Sequence, residues 1–225
     1  MKNYIIIFTL FLYNLGAIDK IKLPLVGIKV MDSNKSITIE REVDARCMNL
    51  TMNEKTFWGQ NFASDAIPKP CKKSFVTTKG VIQPLHIHND IETFGELEVL
   101  EFIKNKSSKA PSQYLLVDSR PRSWFEHSTI PSSINIPYNN LEIDEDFKEE
   151  YTHAYQTFGV IIKEGKFDFT NAKEILLFCN GLWCTHSPRA IETLLKVGYP
   201  AKKIKWYRGG ITSWASVGLT LIKKR

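Results

Sequence analysis

Long apolar runs are scarce in this chain of 225 residues, and beyond Ala17 none is long enough to span a bilayer. No segment repeats with a fixed period, which excludes a helical repeat, and nothing in the composition is collagen-like or disordered. Cysteine is limited to Cys47, Cys71, Cys179 and Cys184, and neither pair has the spacing and companion histidines of a zinc site. His86 and His88 alternate on a candidate strand, but no third ligand lies near them in sequence, so no metal site is expected. The net charge is +6, yet the basic residues are scattered among acids except at Lys223-Lys224-Arg225. A clustered basic face with interleaved aromatics is lacking, so no nucleic-acid partner is expected. The mild positive field that remains helps small anions approach. A hydrophobic content of 43% with 24% charged residues is that of an ordinary packed globular protein.

The first residues are the exception to the scarcity of apolar runs. Lys2 precedes the stretch from Tyr4 to Tyr13, and Leu15-Gly16-Ala17 follows. A charged start, an apolar core and a small-residue end are the pattern of a secretory signal. Residues 1–17 are therefore expected to direct export to the periplasm or beyond, with no stable membrane insertion after removal. A retained anchor is the alternative, since Leu15 is a poor residue three positions before the cut. In an oxidising compartment an even cysteine count favours disulfides. Cys47–Cys71 is the expected structural pair, stapling an extension with few apolar runs of its own.

Residues 18–90 read as that extension and residues 91–225 as the main domain. In the extension, Val26–Met31 and Ser36–Arg41 flank a polar turn and predict a β-hairpin. Lys69 to Lys73 reads as loop. Next, Thr93 with Glu96 predicts a capping box opening a helix to Ile103, with Leu97, Leu100 and Ile103 as its apolar stripe. Element types then alternate. Strands are expected at Tyr114–Val117, Ser133–Pro137, Ile175–Phe178 and Ile204–Tyr207. Helical segments are expected at Ser123–Glu126, Asp146–Tyr155, Pro188–Val197 and after Gly209-Gly210. Such alternation implies an α/β fold: an open, mainly parallel sheet with helices on both faces, plus a small β-rich N-terminal part. Ligands in such sheets bind beyond the carboxyl ends of the strands. Asp118 and Cys179 both stand at such ends.

Cys179 follows the apolar run Ile175–Phe178 and opens a loop through Asn180, Gly181, Leu182, Trp183, Cys184, Thr185 and His186. Ser187 and Pro188 read as N-cap and first position of the next helix. A thiol between a strand end and a helix N-terminus has its thiolate stabilised and its neighbourhood suited to anions. Arg120, two residues past a strand end, is a candidate to organise this loop through Asp118 and to lower the Cys179 pKa. Asp118 has a plain alternative as a strand-end cap. Arg189 in the first helical turn either contacts an anion or pairs with an acid. His186 is either solvated or supplies charge, and Trp183 either walls the site or packs. Cys184 is a resolving thiol, half of a dithiol switch, or inert.

These residues resemble a known family. Asp118-Ser119-Arg120 with Thr129-Ile130-Pro131-Ser132-Ser133-Ile134-Asn135-Ile136-Pro137, then Cys179 after its strand, then Tyr207-Arg208-Gly209-Gly210-Ile211-Thr212-Ser213-Trp214, is similar to the three rhodanese signatures in order and spacing. The resemblance covers residues 91 to 222 and is closest to exported single-domain rhodaneses with an N-terminal extension. It implies a sulfurtransferase that carries sulfane sulfur as a Cys179 persulfide. It further implies a small sulfur-containing anion or polysulfide as donor, a thiol or cyanide-like acceptor, protein thiols included, and no cofactor. The chain departs from the family in three places. The loop is about two residues longer and has no arginine before Arg189. It holds the second cysteine, Cys184. Thr129 replaces the usual histidine. The related phosphatases place an arginine six residues after the cysteine; Thr185 stands there instead, which argues against phosphate ester hydrolysis. A thiol–disulfide oxidoreductase using Cys179 and Cys184, and a non-catalytic sulfur carrier, are the competing functions.

Overall fold

The computed structural model describes residues 18–21, 28–32, 35–39, 41–57, 64–72, 80–216, 219 and 221–224. The candidate signal, residues 1–17, lies outside them. Two compact units divide the chain, residues 1–79 and 80–225.

In the first unit, β1 (Ile18–Ile21) pairs antiparallel with β4 (Arg41–Asp44), and β2 (Ile28–Asp32) with β3 (Lys35–Ile39). The β2–β3 pair is the expected hairpin. Two short helices follow, α1 (Glu54–Phe57) and α2 (Lys69–Lys72). The second falls where loop was expected, because Pro70 is tolerated in a first helical turn. A disulfide joins Cys47 to Cys71, and these two pack with Ile67 as a small buried cluster edged by Met48 and Leu50.

The second unit is built on five parallel strands: β5 (Glu92–Phe94), β6 (Tyr114–Asp118), β7 (Ile134–Asn135), β10 (Glu174–Phe178) and β11 (Ile204–Tyr207). Their spatial order is β5-β11-β10-β6-β7. Side chains on a strand alternate between faces, so the register sorts them into two layers. Leu115, Ile175 and Ile204 form one row, and Val117, Leu177 and Trp206 the next. Both rows belong to a core with Tyr151, Ala154 and Tyr155 of α5 (Lys148–Thr157) and Ala190, Ile191 and Leu194 of α6 (His186–Lys196). On the opposite face Tyr207 meets Trp214 of α7 (Gly210–Ser216) edge-on. Coverage of both faces explains the apolar runs Leu115–Val117 of β6 and Ile175–Phe178 of β10; β11 carries Lys205, which pairs with Glu92.

Several expectations are corrected. Thr93 lies in β5 rather than capping a helix, and its hydroxyl donates to the Leu85 carbonyl. The helix α3 (Glu96–Phe102) begins after Gly95, whose N–H is accepted by the Glu98 carboxylate at 3.0 Å. Its buried residues are Val99 and Phe102, while Leu97 is 76% exposed. The apolar stripe is therefore rotated from the one expected. A hairpin of β8 (Ile161–Lys163) and β9 (Lys166–Asp168) lies in a stretch given no element from sequence. His86 and His88 sit in irregular chain, not on a strand, and His88 Nδ1 accepts the Asp90 N–H. Among the described residues no helix is long and apolar enough to cross a membrane, and no cluster of three or more His, Cys, Asp or Glu is placed to hold a metal.

Candidate active site

Parallel pairing brings the carboxyl ends of β6, β10 and β11 to one edge, so the turns after Asp118, Phe178 and Tyr207 meet there. They are bound to each other through backbone. Ser119 N–H donates to Phe178 O at 3.0 Å, Ile211 N–H to Cys179 O at 3.0 Å, and Thr212 N–H to Asn180 O at 2.8 Å. Gly210 has φ +54°, and a Cβ there would meet Cys179 O at 2.2 Å, so this closing turn requires glycine.

The turn after β6 is a buried ion pair. Asp118 and Arg120 are both fully buried. Asp118 Oδ1 accepts from Arg120 N–H at 3.0 Å and from Nε at 2.9 Å, and Oδ2 from Nη2 at 2.7 Å. Thr129 Oγ1, standing where the family histidine would be, donates to Asp118 Oδ2 at 2.7 Å. Asn135 Nδ2 donates to the carbonyls of Asp118 and Arg120 at 2.9 and 2.8 Å. Arg120 donates to Asn180 Oδ1 at 3.2 Å through Nη1 and to Ser128 O at 2.5 Å through Nη2. Asp118 is thus a cap and a counter-ion, and Arg120 reaches the cysteine loop through Asn180.

The loop itself is tied down by its carbonyls. Besides Cys179 and Asn180, Gly181 O accepts from Cys184 N–H at 2.9 Å. Leu182 O and Trp183 O accept from Gln83 N–H at 2.9 Å and Val81 N–H at 3.1 Å. Gln83 O in turn accepts two bonds from Arg208, at 3.1 and 2.7 Å. Gly80 packs so close to Trp183 O that a Cβ would lie 2.4 Å from it. Residues 80–83 are thus a strap over Leu182 and Trp183 of the loop. With its carbonyls bound outward, the loop turns N–H groups toward its two sulfurs. Gly181 and Ser187 N–H serve Cys179, and Asn180 and His186 N–H serve Cys184.

Cys179 is 2% exposed and Cys184 3%. Both are free thiols. Burial opposes ionisation of Cys179, but hydrogen bonds from the Cys184 thiol, the Ser187 hydroxyl and the Ser187 and Gly181 N–H groups outweigh it and lower its pKa. For Cys184, burial and the neighbouring Cys179 charge act together and raise the pKa well above the ordinary thiol value. Cys179 is thus the more acidic of the two thiols and Cys184 the weaker acid. The causes that lower the Cys179 pKa are hydrogen bonds from Cys184, Ser187 and Gly181, while Arg120 is paired with Asp118.

Ser187 does not cap α6. Its Oγ donates to Cys179 Sγ at 3.2 Å and accepts from Trp206 Nε1 at 3.0 Å. The hydroxyl is thereby spent on the sulfur, and Thr185 occupies the cap position with no side-chain bond. Arg189 pairs with Glu142 at 2.8 Å, and its guanidinium lies 4.6 Å from the Tyr138 ring centroid. His186 stacks on the same ring at 4.6 Å. Burial, then the positive charges of Arg120 and Arg189, push its pKa down to about 4 against the opposing Asp118, so it is neutral at pH 7. Leu182 is exposed and Trp183 half-buried. Trp206, Thr129 and residues 80–83 were not among the site residues expected from sequence. Trp206 reads as core, and only its place beside Leu177 in the parallel register aims its indole at Ser187.

A thiol of lowered pKa, bonded by the Ser187 hydroxyl, thus stands at the carboxyl edge of a parallel α/β sheet. The rhodanese-like domain family matches residues 99–217, more than half of the chain, and the chain belongs to that family. No curated protein matches it. Among solved structures, a Bacillus halodurans protein is similar at 20% identity over 59% of this chain and 77% of its own, with a TM-score of 0.41. The thiosulfate sulfurtransferase of Pseudomonas aeruginosa is 16% identical over 60% of this chain and 21% of its own, with a TM-score of 0.39. A rhodanese with anions from E. coli is 17% identical over 49% of this chain and 98% of its own, with a TM-score of 0.32.

Proposed function

We propose that the protein is an exported sulfurtransferase whose domain 91–225 passes sulfane sulfur through a Cys179 persulfide. The observation that carries this reading is the Cys179 thiolate. It is buried, yet its pKa is lowered by hydrogen bonds from Cys184, Ser187 and the loop N–H groups. Such a thiolate attacks the outer sulfur of thiosulfate or a polysulfide. With thiosulfate, the new bond joins Cys179 Sγ to that sulfur, the old sulfur–sulfur bond breaks, and sulfite leaves with the electron pair. An acceptor thiolate or cyanide then attacks the terminal sulfur. Cys179 departs as a thiolate, stabilised by the donors that held it at the start. Export is supported by the Lys2-to-Ala17 pattern, and the Cys47–Cys71 disulfide suits an oxidising compartment. Mass spectrometry of reduced protein after thiosulfate or polysulfide tests the chemistry. A one-sulfur adduct on Cys179 supports transfer; a Cys179–Cys184 disulfide formed with no sulfur adduct or sulfide release supports thiol–disulfide exchange. That second reading is favoured by one observation, the Cys184 thiol facing the Cys179 sulfur.

A further inference from the structure

Sulfur transfer as described uses Cys179 and leaves Cys184 without a chemical role. Cys184 is nonetheless 3% exposed, has no disulfide partner, and is held to the same loop by its N–H bond to Gly181 O at 2.9 Å. It interacts with Cys179 closely enough for each thiol to shift the other's pKa. The strap 80–83 and the start of α7 bind the loop carbonyls on either side, so the backbone that carries both cysteines is held in place.

We propose that Cys184 resolves the Cys179 persulfide, so that the protein is a sulfide-releasing persulfide reductase as well as a transferase. The inference rests on the persulfide reading above. The balance is simple. Cys184 Sγ attacks Cys179 Sγ, the bond from Cys179 Sγ to the terminal sulfur breaks, and hydrosulfide leaves with the electron pair and the Cys184 proton. A Cys179–Cys184 disulfide remains. The terminal sulfur is reduced and the two cysteines are oxidised. A dithiol reductant, small or protein-borne, restores the thiols by exchange.

The site favours this step once the persulfide exists. Before loading, burial and then the interaction with Cys179 raise the Cys184 pKa. After loading, the charge sits one atom further out, on the terminal sulfur. The Cys179 contribution is then weakened while burial stays, and the N–H groups of Asn180 and His186 act in favour of the Cys184 thiolate. The attacking and attacked atoms are neighbours in one restrained loop, which raises their effective concentration.

The test is anaerobic loading of the reduced full chain with polysulfide, rapid removal of excess reagent, then parallel measurement of free sulfide and of the cysteine peptides. The native protein is expected to release sulfide equal to the protein loaded and to end with Cys179 joined to Cys184. Cys184→Ala and Cys184→Ser are expected to hold the persulfide on Cys179 and to lose sulfide release. A persulfide equally long-lived in native protein and both variants overturns the resolving role and leaves transfer standing. Absence of any persulfide in both Cys184 variants overturns the transfer reading itself. Disulfide formation in native protein with no sulfide released overturns the reductase step.

Discussion

Cys47 and Cys71 are joined, while Cys179 and Cys184, closer in sequence and equally buried, are free. The surroundings account for the difference. Among the described residues the first pair packs with Ile67, edged by Met48 and Leu50, in a unit whose described strands are short antiparallel pairs. A cross-link there stabilises by restricting the unfolded chain. The second pair lies over a continuous core of parallel strands and helices that needs no staple. It is surrounded by donors aimed at sulfur: Ser187 Oγ and four backbone N–H groups. A pair without donors near it serves the fold. A pair ringed by them holds one proton unevenly and is kept ready to react.

The sharpest way to break this comparison is Cys179→Ser. Transfer is expected to vanish, with thermal unfolding little changed, because the nucleophile goes and almost no volume does. Retention of the native rate of thiocyanate formation from cyanide at saturating donor would show that Cys179 is not the acceptor. Next in size is Arg120→Ala, which leaves Asp118 buried without its counter-ion. Loss of one partner of a buried pair costs about 3–5 kcal/mol, and the variant should show it in urea unfolding. An unfolding midpoint equal to native would mean the pair carries no structural weight. Replacing both Cys47 and Cys71 by Ala should cost roughly 3–4 kcal/mol through the freed loop. Peptide mapping of unreduced native protein checks the premise, since free thiols at 47 and 71 would erase the contrast between the two pairs.

Smaller effects probe the reactive pair. Trp206→Phe keeps the ring and removes the N–H that orients Ser187. One neutral hydrogen bond contributes about 1 kcal/mol, so the midpoint pH of iodoacetamide labelling of Cys179 should rise by no more than about 1 unit. Ser187→Ala should rise further. The measurement is made in a Cys184→Ala background, and an unmoved midpoint in both would remove the indole–hydroxyl relay. The mildest probe is acid. The folded His186 pKa is about 4, below the ordinary value of 6.5. The unfolded chain therefore binds the proton first on acidification. The His186 contribution is complete above pH 6.5 and is lost as pH falls toward 4. Urea unfolding across that window should show a flatter pH dependence for His186→Gln than for native protein.

Much of this was legible in the sequence. β6 and β10 are legible because a strand covered on both faces is a short apolar run, Leu115–Val117 and Ile175–Phe178, closed by Asp118 in one and by the Asn180-Gly181 turn after Cys179 in the other. Cys179 could be singled out because a strand end leading to a helix start is a local pattern. The helix at 93–103 was misplaced because Thr93-x-x-Glu96 satisfies a capping rule that β5 overrides by pairing with β11. The hairpin of β8 and β9 lay in a stretch with no clear pattern, and Ser187 was read as a cap because local rules cannot see Trp206.

Residue types and their order determined the α/β class, the position of the nucleophile, the expected staple in the extension and the exclusion of a phosphatase arginine. Local periodicity and turn chemistry act between neighbours in the chain, and those features need nothing more. Tertiary structure alone decided that Arg120 reaches Asn180, that Thr129 completes the ion pair, and that Trp206 aims Ser187 at the sulfur. It alone decided that residues 80–83 hold a loop a hundred positions away. Each of those is a hydrogen bond between groups that only the parallel register brings within about 3 Å, a distance at which direction and partner count for everything and sequence separation for nothing.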